Sequence, residues 1–468
     1  MRKFTTILGI LIMLGLTHQA FAQEVIGKDK TSKGKSEAIN YRIDNMGYWM
    51  RMAKKGLVPY NPLVAVKPAE FKGSVIQFKG RAFDSPDIPV TTLSSVTESE
   101  NSVFVDPDNN MYLLNSNNST EWTGTTVGNL LGANFFQSSN AGAIWGGSPN
   151  GAGGSNSGDP ATAINHAGRQ FVNYIDNPGG QGVAYSDDGS TWLTSTIATN
   201  PGNLADKNHM WIDNKTTSPY VGNLYTAWTD FGGTYNYQVM LSRSTNNGLT
   251  WSSKIPVSGT SIASFNHGVN LQTGPNGQVY ACWATYYTNF SDLSEDGIGF
   301  SKSLDGGLTF SAATKAISTI KGIRATGVLK SMRVNSFPVM AVDVSTGPNS
   351  GNIYIVWTNV GVPGTNSGTN KSVYIIRSTN GGTTWSTPLR VNQGAFADGK
   401  EAYSPWITCD PETGTLSVVF YDDRNTASTA CETWVSSSLD AGNTWTDFRV
   451  SDVSFTPTPI PGLASSYM

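Results

Sequence analysis

Three features that usually help to classify a sequence are scarce in this chain: cysteine, charged residues and long apolar runs. The 468 residues include only three cysteines, Cys282, Cys409 and Cys431, so no disulfide framework holds the chain together. A bridge between Cys409 and Cys431 is one arrangement, and it leaves one thiol over. Charged residues make up 14% of the chain and the net charge is −3, which argues against nucleic acid as a partner.

Long apolar segments are confined to the N-terminus. Arg2 and Lys3 precede the apolar run Ile7–Leu16, and the small-x-small sequence Ala20-Phe21-Ala22 follows it. This pattern is typical of a cleavable signal peptide, here residues 1–22. No later run approaches the roughly 20 apolar residues that a transmembrane helix needs. The sequence therefore predicts a protein without a transmembrane segment that is secreted or exported to the cell surface.

Signatures of common catalytic and cofactor sites are missing as well. The sequence contains no His-Glu-x-x-His motif, no Cys/His spacing typical of zinc, no Gly-x-Ser-x-Gly motif and no Walker A loop. We therefore expect no bound metal and no cofactor.

Glycine and aromatic residues, in contrast, are plentiful. The 50 glycines and the aromatic content of 11% favour strands and tight turns over helices. Residues 23–62 are the exception, because a polar, Lys-rich linker is followed there by apolar residues at spacings of four and three. Ser36 is placed to cap a helix and Gly56 to end it. We expect one amphipathic helix, with an inner face formed by Ile39, Ile43, Met46, Met50 and Ala53.

One short pattern occurs six times between residues 101 and 450. Its fourth copy reads Ser303-Leu-Asp305-Gly-Gly307-Leu-Thr309-Phe310, and the second copy, which we align from Tyr185, has Asp187 at the Asp position. An Asp or Asn side chain here can accept bonds from backbone N–H groups two residues on, and the glycine can take a positive φ. The pattern predicts tight hairpin turns. The copies end 47 to 75 residues apart, at Trp145, Trp192, Trp251, Phe310, Trp385 and Trp445.

The segments before these turns repeat too. Each turn follows a strand rich in aromatic and β-branched residues, such as Ile353-Tyr-Ile-Val-Trp357, and a shorter strand lies before that, such as Met340-Ala-Val-Asp343. Four strands per repeat, arranged radially, make a β-propeller. We therefore predict an all-β fold, a six-bladed β-propeller of four-stranded blades over residues 101–450. Within residues 63–100, a strand near Ser74–Phe78 is a candidate to close the ring. The alternative is a seven-bladed propeller whose last blade is truncated after the linker 451–468.

The repeated turns resemble the Asp box, or BNR repeat, of sialidases and related propellers. In that family the box joins the third and fourth strands of a blade, and substrate binds at the opposite end of the propeller. The resemblance covers the repeats only. Tyr41-Arg42-Ile43-Asp44 is similar to the Phe/Tyr-Arg-Ile-Pro motif of sialidases, but it lacks the proline and lies inside the predicted helix, so we do not count it as part of a site.

The direction of the strands predicts at which end of the propeller each arginine lies. Loops that enter the first strand of a blade and loops that leave its second strand share one end. The resemblance implies that three arginines clamp a substrate carboxylate there, as guanidinium geometry allows. Arg324 and Arg333 before blade five, and Arg424 in blade six, lie at that end. The arginines excluded by their repeat position or by their end are Arg169, Arg243, Arg377, Arg390 and Arg449.

The same resemblance implies a Tyr nucleophile, a carboxylate base beside it and an Asp acid/base. Glu401 and Tyr403 lie together before the inner strand of blade six, and Asp230 and Asp423 occupy equivalent loops. Asp206 lies in another equivalent loop, and His209 and His267 enter inner strands. These three residues are further candidates for contact with substrate. Two functions follow as alternatives. One is an exo-glycosidase acting on sialic acid or a related acidic sugar, and the other is a noncatalytic propeller that binds a glycan or a protein at the cell surface.

Overall fold

The computed structural model describes residues 39–58, 75–78, 81–84 and 87–457, except 41, 44, 94, 124–125, 201–203, 287–293, 331–333, 396–398 and 428. The chain divides into two units, Met1–Asn40 and Tyr41–Met468. All elements below belong to the second unit. They begin with helix α1 (Met46–Lys54) and a hairpin of β1 (Val75–Phe78) and β2 (Arg81–Asp84).

Six antiparallel sheets follow in chain order, and they form the blades of a six-bladed β-propeller, as predicted. Blade one contains β3 (Val96–Val105), β4 (Leu113–Thr123), β6 (Phe135–Ser138) and β7 (Gly146–Ser148), with β5 (Thr126–Ala133) paired to β4. Blade two contains β8 (Ala161–Ile164), β9 (Gln170–Ile175), β10 (Gln181–Ser186) and β11 (Leu193–Ala198). Blade three contains β12 (Leu204–Ile212), β13 (Leu224–Phe231), β14 (Val239–Ser244) and β15 (Ile255–Pro256).

Blade four contains β16 (Phe265–Thr273), β17 (Val279–Tyr286), β18 (Gly297–Ser303) and β19 (Thr314–Ile317). Blade five contains β20 (Val339–Val342), β21 (Ile353–Val362), β22 (Ser367–Ser378) and β23 (Leu389–Arg390). Blade six contains β24 (Ala402–Cys409), β25 (Leu416–Asp422), β26 (Glu432–Ser438) and β27 (Thr446–Arg449). The first strands of successive blades contact one another from β3 through β24, which makes them the inner strands of the propeller.

The six repeated turns all join the third and fourth strands of their blades. In the fourth, Ser303 Oγ accepts the N–H of Gly307 at 2.8 Å and Asp305 Oδ1 accepts that of Thr309 at 3.0 Å. The second turn is one residue shorter, and there Asp188 Oδ1 accepts the N–H of Thr191 at 2.6 Å. Our alignment from Tyr185 therefore assigned the wrong aspartate.

Apolar side chains fill the interfaces between consecutive blades. Five clusters of buried residues lie between blades one and two, two and three, and so on to blades five and six. In the second to sixth turns, the aromatic residue at the end packs against the cluster between its own blade and the preceding one: Trp192, Trp251, Phe310, Trp385 and Trp445. The turn motif therefore stabilises both its own hairpin and the contact between blades.

The interface between blades six and one differs among the described residues. Phe104 packs toward blade two, so its neighbours Val103 and Val105 point away from it and are 57% and 45% exposed. On blade six, Trp406 and its cross-strand partner Val419 face away from blade five and are 44% and 37% exposed. The predicted closing strand β1 pairs with β2 and lies beside β27, so closure of the ring by this strand stays a prediction.

The predicted helix is present but shorter. It starts at Met46, because the side chain of Asn45 caps it by accepting the N–H of Tyr48 at 2.9 Å, and Ile39 and Ile43 lie before it in nonhelical backbone. Gly56, with a φ of 71°, follows its end as predicted. The proposed cap Ser36 lies outside the described residues. The three cysteines are free thiols.

Candidate functional site

The two ends of the propeller are defined by strand direction. The box end carries the six repeated turns. The site end carries the loops that enter the first strand of each blade and leave the second. The described candidate residues from the sequence lie on site-end loops or on the inner strands that start there, except Asp230, which lies near the end of β13.

The inner strands share an irregularity near the site end. Four of them shift register at a bulge that contains a residue with positive φ: Glu100 at 50°, Lys207 at 53°, Gly268 at 67° and Ser404 at 52°. Two of these residues are charged, and Lys207 Nζ lies 3.4 Å from Glu100 Oε2. The bulges therefore bring charge from different blades together at the mouth of the central channel.

An N-terminal segment crosses the site end. This segment, which we call the strap, comprises Arg42, Ile43 and residues 45–58, including α1. Asn45 Nδ2 donates to the carbonyl of Ser157, in the loop that enters blade two, at 3.0 Å. The Arg42 guanidinium lies 5.1 Å from the ring of Phe265, where blade four begins. The strap therefore touches site-end loops of separate blades.

A small depression opens beside the strap. It is lined by Arg42, Phe265, His267, Tyr286 and Arg324, and the ≈ 190 Å³ of empty space beside these residues includes open solvent. We call it the arginine pocket. The rings of Phe265 and Tyr286 lie 4.6 Å apart and the imidazole of His267 stacks on Phe265 at 5.4 Å, so aromatic surface lies beside two arginines in this depression.

Two buried carboxyl groups, those of Asp206 and Glu295, lie close to residues that line this pocket. His267 Nε2 lies 3.9 Å from Asp206 Oδ2, and both side chains are buried. Glu295 accepts the N–H of Ser336 at 2.8 Å and that of Arg324 at 3.3 Å. Burial raises the pKa of Glu295. The backbone N–H of Arg324 and the ring of His267 therefore each lie close to a buried carboxyl group.

Asp159, at the mouth of the channel, is a further buried carboxyl group. Its Oδ2 accepts the N–H of Lys207 at 3.2 Å. Burial, followed by the nearby charges of Glu100 and Asp206, raises its pKa well above the usual range. The site end therefore combines a cationic pocket with acidic groups on the side of blades one to three.

A second cluster of charged side chains, which we call the lysine–carboxylate group, lies at the site end of blade six. The buried ammonium of Lys330 donates to Glu401 Oε2 at 2.7 Å and also to Asp423 Oδ2, and Lys371 donates to Glu401 Oε1 at 2.6 Å. Burial alone would raise the pKa of Glu401, but the bonds from both lysines hold it below its ordinary value. Glu401 and Asp423 are therefore brought together as ion-pair partners of lysines.

Tyr403 and Arg424 occupy positions that differ from their predicted roles. Tyr403 is fully buried, its hydroxyl donates to Cys431 Sγ at 3.6 Å, and burial strongly raises its pKa. Arg424 Nη2 lies 2.6 Å from both Asp422 and Asp447, and its guanidinium stacks on Trp434 at 4.1 Å. Arg424 and Arg324 line separate depressions, so this geometry gives the three-arginine clamp and the Tyr nucleophile no support.

The remaining candidates are also separated. Asp230 accepts from Lys254 at 2.5 Å and from the indole of Trp228 at 2.7 Å. His209 lies between Trp211 and Trp406 inside the channel, and burial lowers its pKa to about 4. Arg333 lies outside the described residues, so its role stays a prediction.

The sequence analysis did not identify three residues that belong to these two clusters: Arg42, Lys330 and Lys371. Arg42 was set aside because its motif was placed inside a helix, yet α1 begins after it and the Arg42 guanidinium lies over the ring of Phe265. Lys330 and Lys371 carry no motif. Only the similarity of Tyr41-Arg42-Ile43-Asp44 to a sialidase motif could have drawn attention to Arg42.

In the described part of the chain, no helix is long and apolar enough to cross a membrane, and no three His, Cys, Asp or Glu side chains converge as metal ligands. No protein-family model matches the sequence, and no curated protein matches it.

Several solved structures are similar to this chain. A protein of unknown function from Dyadobacter fermentans is 14% identical, with 70% of this chain and 91% of that chain covered and a TM-score of 0.42. A Hadza microbial sialidase is 16% identical, with coverage of 72% and 71% and a TM-score of 0.39. A variant of the Aleuria aurantia lectin in complex with Fucα1-6GlcNAc is 11% identical, with coverage of 76% and 96% and a TM-score of 0.41. We assign no family from these similarities.

Proposed function

We propose that this propeller binds a carboxylated sugar of a glycan through the arginine pocket. One observation carries the proposal: Arg42 and Arg324 meet at the site end beside His267 and the rings of Phe265 and Tyr286. A guanidinium group is suited to a carboxylate because its N–H donors match both oxygens. Aromatic rings offer an apolar surface to the face of a sugar. The resemblance of the repeats to those of sialidases agrees with an acidic sugar.

Binding without cleavage is the function that this arrangement supports best. The hydroxyl of Tyr403 is directed at Cys431 in a buried environment, and Glu401 is occupied by two lysines. A nucleophile must reach the reacting carbon of the sugar, so neither group serves in these positions. We also propose that the predicted signal peptide exports the protein, which would bring the pocket to extracellular glycans.

The test compares sugars that differ in charge. Isothermal titration of the full chain with glucuronate, N-acetylneuraminate and glucose should give measurable binding only for the two acids. Arg324→Gln and Arg42→Gln should each weaken that binding roughly tenfold or more, because a lost hydrogen bond between charged groups costs about 1.5–3 kcal/mol.

The matched control is Arg169→Gln, which removes an arginine from the box end, where it pairs with Asp187 at 2.6 Å. This variant should bind the acids as the wild type does. Equal binding of glucose and glucuronate would contradict the proposal, as would wild-type affinity in both pocket variants. Cleavage of a fluorogenic sialoside that is lost in Tyr403→Phe would instead establish the glycosidase alternative.

A further inference from the structure

We propose that the strap is a closing element whose docking is coupled to occupation of the arginine pocket. The inference rests on the proposed function, because the coupled ligand is the carboxylated sugar. The pocket is formed by two parts of the chain: Arg42 belongs to the strap, and the other lining residues belong to the propeller. Ligand that bridges Arg42 and Arg324 therefore joins the strap to blade five.

The strap is held mainly by burial of apolar side chains. Ile43, Trp49 and Met52 are 4%, 3% and 2% exposed, which a nine-residue helix cannot achieve by itself, so the propeller surface must cover them. The indole of Trp49 donates to the carbonyl of Ile43 at 2.7 Å, which fixes the residue next to Arg42. Docking of α1 and the position of Arg42 are thus linked within the strap.

The strap should also be able to leave the surface. Helices shorter than about 12–15 residues are marginal in water, so α1 should lose its structure once its apolar face is uncovered. Local opening of a segment breaks only the contacts that this segment makes, so it costs less free energy than unfolding the whole propeller. Exposed Lys54 at the end of α1 provides a trypsin site that reports such opening.

Coupling between the two events is reciprocal. If the sugar binds only when Arg42 is in place, ligand stabilises the docked strap by mass action, and undocking weakens the affinity. At a ligand concentration of 100 times the dissociation constant, opening should become about 100-fold rarer. Cleavage that requires opening should slow by the same factor, because proteolysis follows the population of the open form.

The experiment measures trypsin cleavage after Lys54 in the full chain by mass spectrometry, with glucuronate as the probe and glucose as the control. We expect glucuronate, and not glucose, to slow this cleavage by up to about 100-fold. Arg324→Gln should abolish the protection that glucuronate gives, measured against cleavage of the same variant without sugar. The double variant Trp49→Ala/Met52→Ala should be cleaved faster and should bind glucuronate at least about tenfold more weakly, although neither residue lines the pocket.

The outcomes separate this proposal from the proposed function. Binding of glucuronate to the wild type with no change in cleavage after Lys54 would overturn the coupling and leave the binding function intact. Wild-type affinity in Trp49→Ala/Met52→Ala would do the same. Absence of any glucuronate or N-acetylneuraminate binding to the wild type would overturn both. A structural role alone for the strap predicts faster cleavage in the double variant and unchanged affinity.

Discussion

The box end and the site end of this propeller are built from the same strands but follow different rules. At the box end, a basic residue before the turn of one blade donates to a carbonyl in the turn of the next: Arg243 to Gly306 at 2.7 Å, Lys302 to Gly381 at 2.7 Å and Arg377 to Ala441 at 3.0 Å. At the site end, repetition is found in the strands themselves, as in the bulges of four inner strands. The ion pairs there, such as Lys330 with Glu401, join particular loops once.

This difference coincides with the position of the proposed binding site. A repeated hydrogen bond maintains the ring, whereas a unique cluster can be shaped for one ligand. The strap, the arginine pocket and the lysine–carboxylate group all lie at the irregular end. Matched substitutions at the two ends should therefore show which contributes more to the free energy of unfolding: the repeated contacts of the box end or the buried groups of the site end.

The largest effect is expected for valine at a box glycine. Gly382 has a φ of +78°, and a Cβ there would lie 2.2 Å from Cε1 of Phe300. Gly382→Val should therefore cost about 1–3 kcal/mol in backbone strain and a similar amount in overpacking. Gly399, at the site end, has a φ of +80° but no atom within 4 Å of its Cβ position. Gly399→Val should cost the strain alone, and equal melting temperatures for the two variants would contradict the comparison.

A second pair of variants removes one ammonium from each end. Lys330→Met leaves Glu401 and Asp423 buried without their shared cation, at a cost of about 3–5 kcal/mol. Lys302→Met removes a single bond to the carbonyl of Gly381, at a cost of about 1 kcal/mol. Denaturant unfolding of both variants measures the difference. If Lys302→Met proves the more damaging, the regular links of the box end matter more than buried charge.

The box end could be predicted from the sequence because its signals are local. Ser303, Asp305 and Gly307 bond within five residues, so spacing alone indicates the turn, and six copies in order indicate the blades. The one error came from a turn that is a residue shorter, where Asp188 replaces Asp187. Repetition predicts what is repeated, and it misleads where one copy departs from the pattern.

The site could be predicted only in part because its residues meet through long-range packing. Arg42 and Arg324 are brought together by the docking of the strap, which no spacing in the sequence encodes. The bulge at Ser404 also breaks strand alternation, since Ala402 and Ile407 both face blade five although they are five residues apart. Alternation therefore could not show which way Tyr403 points. Strand direction assigns Glu401 and Asp423 to the same end of blade six, but their contact and their lysine partners gave no signal.

The smallest effect concerns charge within the box turns themselves. Slight burial opposes ionisation, but bonds from the hydroxyl and N–H of Thr309 and of Thr444 hold the pKa of Asp305 and of Asp440 at about 2. Because these values are depressed below the ordinary 3.8, the stabilisation is present above pH 4 and is lost as the pH falls toward 2. The double variant Asp305→Asn/Asp440→Asn places in both turns the amide that the first, third and fifth copies already have, at Asn140, Asn246 and Asn380. It should therefore fold normally and melt slightly below the wild type at pH 7, and this gap should close between pH 4 and pH 2 as the wild-type carboxylates become protonated. A gap that stays constant over that range would mean that the carboxylate charge contributes nothing to the turns, and that their regular geometry alone accounts for the stability of the box end.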